Sequence, residues 1–282
     1  MAGESKKIRV LGLHGMGTSG QIFKTQTAAF RSKLSPDSNL TFEFLDAPFS
    51  AAPAPATDVF FTSNHLTWWE SPSVDDIRRA HAFLDNYLEQ HGPFDILMGF
   101  SQGCALIGSY LLYHARVTRW GPVPFKAAVF ICGGLPMPVL ADLDVEVSQR
   151  AERLSQMTSD LLRQRTGSLA AMAGNPELIQ HGVGMWDNVA DLLHDPEEIP
   201  DEEDVFGLDY TTMPSDLRIR IPTVHISGGK DPRWPASWQL AYFCDKRKTY
   251  DHGGGHEIPR TTVVSNKIAG LVEELAKEIR SD

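Results

Sequence analysis

Short apolar runs alternate along this chain with longer stretches in which apolar side chains return every third or fourth position. The runs Ile8–Leu13, 41–45, 94–99, 127–132 and Thr223–Ser227 read as strands, and 246–250 carries a weaker strand pattern. Between them, 21–34, 74–90, 103–115 and 261–280 have the helical period. Val74, Ile77, Ala80, Leu84 and Leu88, for instance, fall on one helix face. Strand–helix alternation of this kind predicts an α/β fold, a mostly parallel central sheet with helices on both faces.

Two segments break the rhythm. Residues 47–58 hold Pro48, Pro53 and Pro55 among alanines and read as a loop, leading into the aromatic pairs Phe60-Phe61 and Trp68-Trp69. The connection 135–220, between two predicted strands, is far longer than the dozen or so residues a crossover needs. One domain over residues 1–282 with an insertion at about 135–220 is therefore expected. The insertion is helix-like over 145–172 and strongly acidic over 195–204, and it reads either as a solvated surface segment or as a lid over a site.

Composition narrows the class. With 282 residues, 42% hydrophobic and 22% charged, the chain is large enough to bury a full core without disulfide staples. Its net charge of −10 argues against nucleic-acid or anionic-membrane partners, which need a basic face. That excess is local: 187–209 contains ten acidic residues and no Lys or Arg, and the rest of the chain is balanced. Cys104, Cys132 and Cys244 lack metal-ligand spacing, and Cys104 and Cys132, in apolar runs, read as buried thiols, which suits a reducing compartment. Ile8–Leu13 is too short for a secretory core, and no apolar stretch approaches the roughly 18 residues of a membrane span. A cytoplasmic location is expected.

The chemistry centres on Gly99-Phe100-Ser101-Gln102-Gly103, a G-x-S-x-G string between a predicted strand and a predicted helix. A nucleophile elbow requires this setting, because the turn projects the serine while the helix N-terminus aims free N–H groups at it. A serine hydroxyl needs a base, and in this arrangement an acid and then a histidine follow it in chain order near later strand ends. Asp231, after Thr223–Ser227, and His256, after 246–250, stand where those groups should fall. Asp251 and His252 remain alternatives for the acid and the base. The glycines between His252 and His256 argue against a helical metal pair, so no metal is expected. For the oxyanion, the backbone N–H of Gln102 and of Met16, in the glycine-rich segment after Ile8–Leu13, are the candidate donors. Phe60, Phe61, Trp68 and Trp69 are candidates either for an acyl pocket or for the core. The set needs no cofactor.

Leu13-His14-Gly15, Gly99-Phe100-Ser101-Gln102-Gly103, Ile131-Cys132-Gly133-Gly134 and His252-Gly253-Gly254-Gly255-His256 together resemble the fungal serine hydrolase family of the α/β-hydrolase superfamily, which includes the ovarian-cancer-associated hydrolase. The resemblance runs from about residue 7 to 275. It implies Ser101, Asp231 and His256 as a triad, with Met16 and Gln102 as backbone donors. The long 135–220 segment is most like the stand-alone hydrolases of fungal polyketide pathways. This likeness implies an acyl substrate carried on an acyl carrier domain of a polyketide synthase. Carboxylesterase activity on small esters, and a non-catalytic partner-binding protein on the same scaffold, are the other readings.

Overall fold

The computed structural model describes residues 7–55, 57, 61–62, 64–119, 121–174 and 184–281, with only the backbone for 169–174. Six strands, β1 (Ile8–Leu13), β2 (Leu40–Leu45), β5 (Ile96–Phe100), β6 (Ala127–Ile131), β7 (Thr223–Ser227) and β8 (Arg247–Asp251), form one sheet in the order β2-β1-β5-β6-β7-β8. Every neighbouring pair in it is parallel. A short antiparallel pair, β3 (Phe49–Ser50) and β4 (Leu66–Thr67), stands apart from it. The predicted strands are thus present, with ends moved by one or two residues.

Alternate side chains of each central strand go to opposite faces, and both faces are dry. Leu11, Leu13, Leu97, Ala128 and Phe130 join one core, and Ile8, Val10, Met98, Val129 and Ile131 join the other. The first core is closed by α3 (Val74–His91) and α4 (Gln102–Thr118). Helices α1 (Gly20–Gln26), α2 (Ala28–Arg31) and α8 (Thr262–Ser281) close the second through Phe23, Phe30, Ile268 and Leu275. The single helix expected over 21–34 is divided at Thr27, whose hydroxyl donates to Phe23 O at 2.8 Å and competes with the helical ladder. Helix α3 begins where Ser73 Oγ accepts from Asp76 N at 3.2 Å, and two aspartates occupy its first turn.

The long insertion is built into the first core. It contains α5 (Met137–Asp142) and α6 (Gln149–Gly174), and it buries Val205, Leu208 and Tyr210 against α7 (Trp234–Tyr242) and its surroundings. The Tyr210 hydroxyl donates to Gln239 O and the Tyr242 hydroxyl to Pro200 O, so the acidic stretch is pinned to α7. No described helix is long and apolar enough to cross a membrane.

His225 of β7 is buried, stacks on Phe130 at 4.9 Å and hydrogen-bonds Thr223 Oγ1 at 3.1 Å. Burial, aided by the charge of Arg247, lowers its pKa from 6.5 to about 3. The folded state therefore refuses a proton that the unfolded chain accepts below 6.5. Stability is complete above that pH and falls as pH drops toward about 3. Replacing His225→Phe should make the pH dependence of stability shallower by about 1.4 kcal/mol per pH unit in this window. Urea denaturation of both proteins across the window measures that slope.

Candidate active site

The strand β5 and the helix α4 meet at Ser101, which has φ 51° and ψ −112°, a conformation that non-glycine residues rarely adopt. The turn is held by Ser101 N donating to Ile131 O at 3.0 Å and by Cys104 N donating to Ser101 O at 3.0 Å. Its tightness dictates the flanking residues. A Cβ on Gly99 would lie 2.6 Å from Cys104 N, and one on Gly103 would lie 2.1 Å from Leu13 O. Both motif glycines are therefore demanded by backbone approach.

His256 Nε2 lies 2.9 Å from Ser101 Oγ, and His256 Nδ1 lies 2.7 Å from Asp231 Oδ2. A carboxylate at Nδ1 fixes the proton there and leaves Nε2 to accept from the serine hydroxyl. Asp231 is fully buried, and its other oxygen accepts from Arg233 N at 2.7 Å. The two alternatives stand elsewhere. Asp251 Oδ1 accepts from Gly229 N at 2.8 Å and Gly253 N at 2.7 Å, so it braces the two loops that carry Asp231 and His256. His252 Nδ1 accepts from Gly254 N at 3.1 Å, and its Nε2 faces Cys132 Sγ at 3.8 Å; burial lowers its pKa.

Met16 and Gln102 both line the cleft that contains Ser101 and His256. Among the described residues, neither backbone N–H is engaged by a protein acceptor. The Gln102 side chain is tied away from the cleft floor: its Nε2 donates to Thr67 Oγ1 at 3.0 Å and its Oε1 accepts from Trp68 N at 3.2 Å. The Met16 loop is fixed by His14, which is wholly buried. Ala47 N donates to His14 Nε2 at 3.1 Å, so Nδ1 carries the proton and donates to Gly15 O at 2.8 Å. Burial lowers the His14 pKa and keeps this neutral form.

The aromatic candidates separate. Trp69 lines the cleft. Trp68 does not: it is fully buried, donates Nε1–H to His14 O at 2.8 Å and packs against the His14 ring, so it supports the loop from beneath. Phe60 lies outside the described residues. The cleft, about 610 Å³, is lined by Trp69, Leu135 and Met137 together with Ser155, Ser159 and Arg163 of α6. The insertion thus overhangs the site through α6, and its acidic stretch lies beside Trp234 and Trp238 instead.

Arg233 was not legible as a site residue, although it follows Asp231 by two positions. Its Nη1 donates to Ser155 O at 2.8 Å, Ser159 Oγ at 2.9 Å and Thr158 Oγ1 at 3.0 Å, which joins α6 to the Asp231 loop. Burial lowers the guanidinium pKa while the Asp231 charge raises it.

This geometry can move a proton from a serine hydroxyl to an imidazole and present two N–H donors to a developing oxyanion. The family model described as "Serine hydrolase (FSH1)" matches residues 1–268. The chain is 29% identical over 272 residues to "Esterase FPY3" of Fusarium mangiferae, covering 95% of this chain and 96% of that one. It is 28% identical over 266 residues to "Esterase alnB" of Emericella nidulans, covering 90% and 91%. A solved structure of SOBER1 from Arabidopsis thaliana is similar at 17% identity and TM-score 0.45, covering 97% of this chain and 99% of that one.

Adding one methyl at Gly103 should spread β1 from α4. Gly103→Ala is expected to lower stability by about 3 kcal/mol or more, and the urea midpoint measures it. A midpoint equal to that of the parent would mean the contact with Leu13 O relaxes without cost.

Proposed function

Because the chain belongs to the FSH1 family of serine hydrolases and has the α/β-hydrolase fold, we propose that Ser101, His256 and Asp231 form its catalytic triad and that it hydrolyses an acyl thioester. The observation that carries the triad is the continuous hydrogen-bonded line from Ser101 Oγ through His256 to buried Asp231.

His256 takes the Ser101 proton as Oγ attacks the acyl carbonyl, and the N–H groups of Met16 and Gln102 receive the oxyanion. The imidazolium, steadied by Asp231, gives its proton to the departing thiolate. Water then attacks the acyl-enzyme with His256 again as base. The acyl chain lies along Trp69, Leu135 and Met137, and α6 acts as the lid.

The natural substrate is an acyl chain of polyketide type delivered on a carrier domain. The likeness of the long 135–220 segment to stand-alone hydrolases of polyketide pathways supports this. The three cysteines are free and buried, which suits a cytoplasmic enzyme. A carboxylesterase is the second reading, favoured by two relatives, FPY3 and alnB, being named esterases.

Ser101→Ala should abolish labelling by a fluorophosphonate and lower kcat by about 10³–10⁶-fold; labelling that survives the substitution rejects the triad. The leaving group is decided separately by kcat/KM on an acyl-carrier thioester against the matched oxyester. A higher value for the thioester is expected, and the reverse order selects the carboxylesterase.

A further inference from the structure

Buried or half-buried guanidinium groups normally face a carboxylate. Arg165 of α6 follows that rule and pairs with Asp191. Arg233 does not. Its Nη1 is spent on neutral oxygens of Ser155, Thr158 and Ser159. Among the described residues, no carboxylate lies within ion-pair distance of its guanidinium, and Nε and Nη2 have no hydrogen-bond partner. Arg233 is half-buried, so its side chain is not wholly enclosed in the core. The side chain lines the same cleft as Ser101 and His256.

The arginine is also held rigidly. Its backbone N–H is fastened to Asp231 Oδ1, and one edge of its guanidinium is fastened to α6. The other edge is left as a fixed fork, a geometry suited to two oxygens of one anion. The charge of the cleft points the same way. In a chain of net charge −10, its lining carries two guanidinium groups, Arg163 and Arg233, against one carboxylate, Glu152. Arg163 is exposed and already paired with Asp160, which leaves Arg233 as the cation available to a ligand.

We propose that Arg233 is a specificity-determining residue of this cleft, its open guanidinium edge receiving an anionic oxygen group, carboxylate or phosphate, carried by the substrate. This rests on Ser101 being the nucleophile. The anion has two possible positions. As a carboxylate it sits on the acyl chain. As a phosphate it sits on the leaving arm, as in a phosphopantetheine thioester.

The experiment uses two substrate pairs that differ only in that charge. Mono-p-nitrophenyl glutarate against p-nitrophenyl valerate places it on the acyl side, and acetyl-phosphopantetheine against acetyl-pantetheine places it on the leaving side. The parent should prefer the anionic member of one pair in kcat/KM, mainly through KM. Arg233→Met should reduce that preference by about 10- to 100-fold, beyond any loss common to the neutral members from loosening α6. The pair in which the preference collapses assigns the position of the anion. No preference in either pair, or equal loss on charged and neutral members, overturns the proposal. Should Arg233→Met fail to fold, Arg233→Gln, which keeps a donor to the Ser155 and Ser159 oxygens without the charge, takes its place.

Calorimetric binding of glutarate and of phosphopantetheine to Ser101→Ala, with and without the Arg233 substitution, gives a second readout that needs no turnover. Saturable binding of either anion that is lost with Arg233 supports the site. No binding, or binding unchanged by the substitution, counts against it. Hydrolysis that persists in Ser101→Ala would reject the triad, and this binding measurement would still judge Arg233.

Discussion

The site depends on one close approach: the first turn of α4 packed against the ends of β1 and β5. There is no space for a Cβ at Gly103 beside Leu13 O, or at Gly99 beside Cys104 N. That approach forces Ser101 to φ 51° and lifts its hydroxyl out of the sheet toward His256. The cost of the unusual conformation, on the order of 1–3 kcal/mol, is met by the dry cores on both faces of the sheet. The same turn leaves Gln102 N without a partner, because the first N–H groups of a helix have none of their own. The projection of Ser101, the proposed nucleophile, and the unpartnered N–H of Gln102, its proposed oxyanion donor, are therefore two consequences of a single packing constraint.

A second constraint follows from Asp231 being fully buried. A carboxylate without water must be hydrogen-bonded, and each oxygen has its partner, His256 Nδ1 on one and Arg233 N on the other. The loop that provides this is braced from outside. Asp251 holds Gly229 N, and Lys230 N donates to Gly254 O at 2.9 Å, so the acid loop and the base loop are tied to each other before either side chain acts. The geometry at His256 is thus fixed by backbone as much as by the side-chain hydrogen bonds of His256 itself.

Most of the sheet could be read from the sequence because buried parallel strands tend to be apolar on both faces, as 127–132 is, and even Thr223–Ser227 alternates its polar residues with Val224 and Ile226. β8, at the sheet edge with three of its five residues only partly buried and two exposed, gave the weaker pattern for the same physical reason. That Ser101, Asp231 and His256 would meet was legible because the proposed chemistry imposes an order along the chain, and the three side chains do stand in one hydrogen-bonded line. Trp68 was not separable from Trp69, since adjacent residues point in different directions and only the fold decides which meets the cleft. Arg233 carried no motif: its role arises from α6, some 70 residues away in sequence, crossing over it. Contacts of that range leave no local periodicity to detect.

The charge of the insertion has a structural consequence that composition conceals. Asp187, Asp191 and Asp204 pair with Lys230, Arg165 and Arg150, which places part of the excess between α6 and the acid loop. Exposed pairs such as Arg150–Asp204 contribute little, about 0–1 kcal/mol each. Arg165 differs because its side chain is only 8% exposed and it also donates to Asn188 O at 2.7 Å. Removing Asp191 would leave that cation buried without its carboxylate, so this pair anchors α6 more firmly than the surface pairs. The acidic segment, through Asp191 and Arg165, and Arg233 therefore both hold α6 to the loop that carries Asp231.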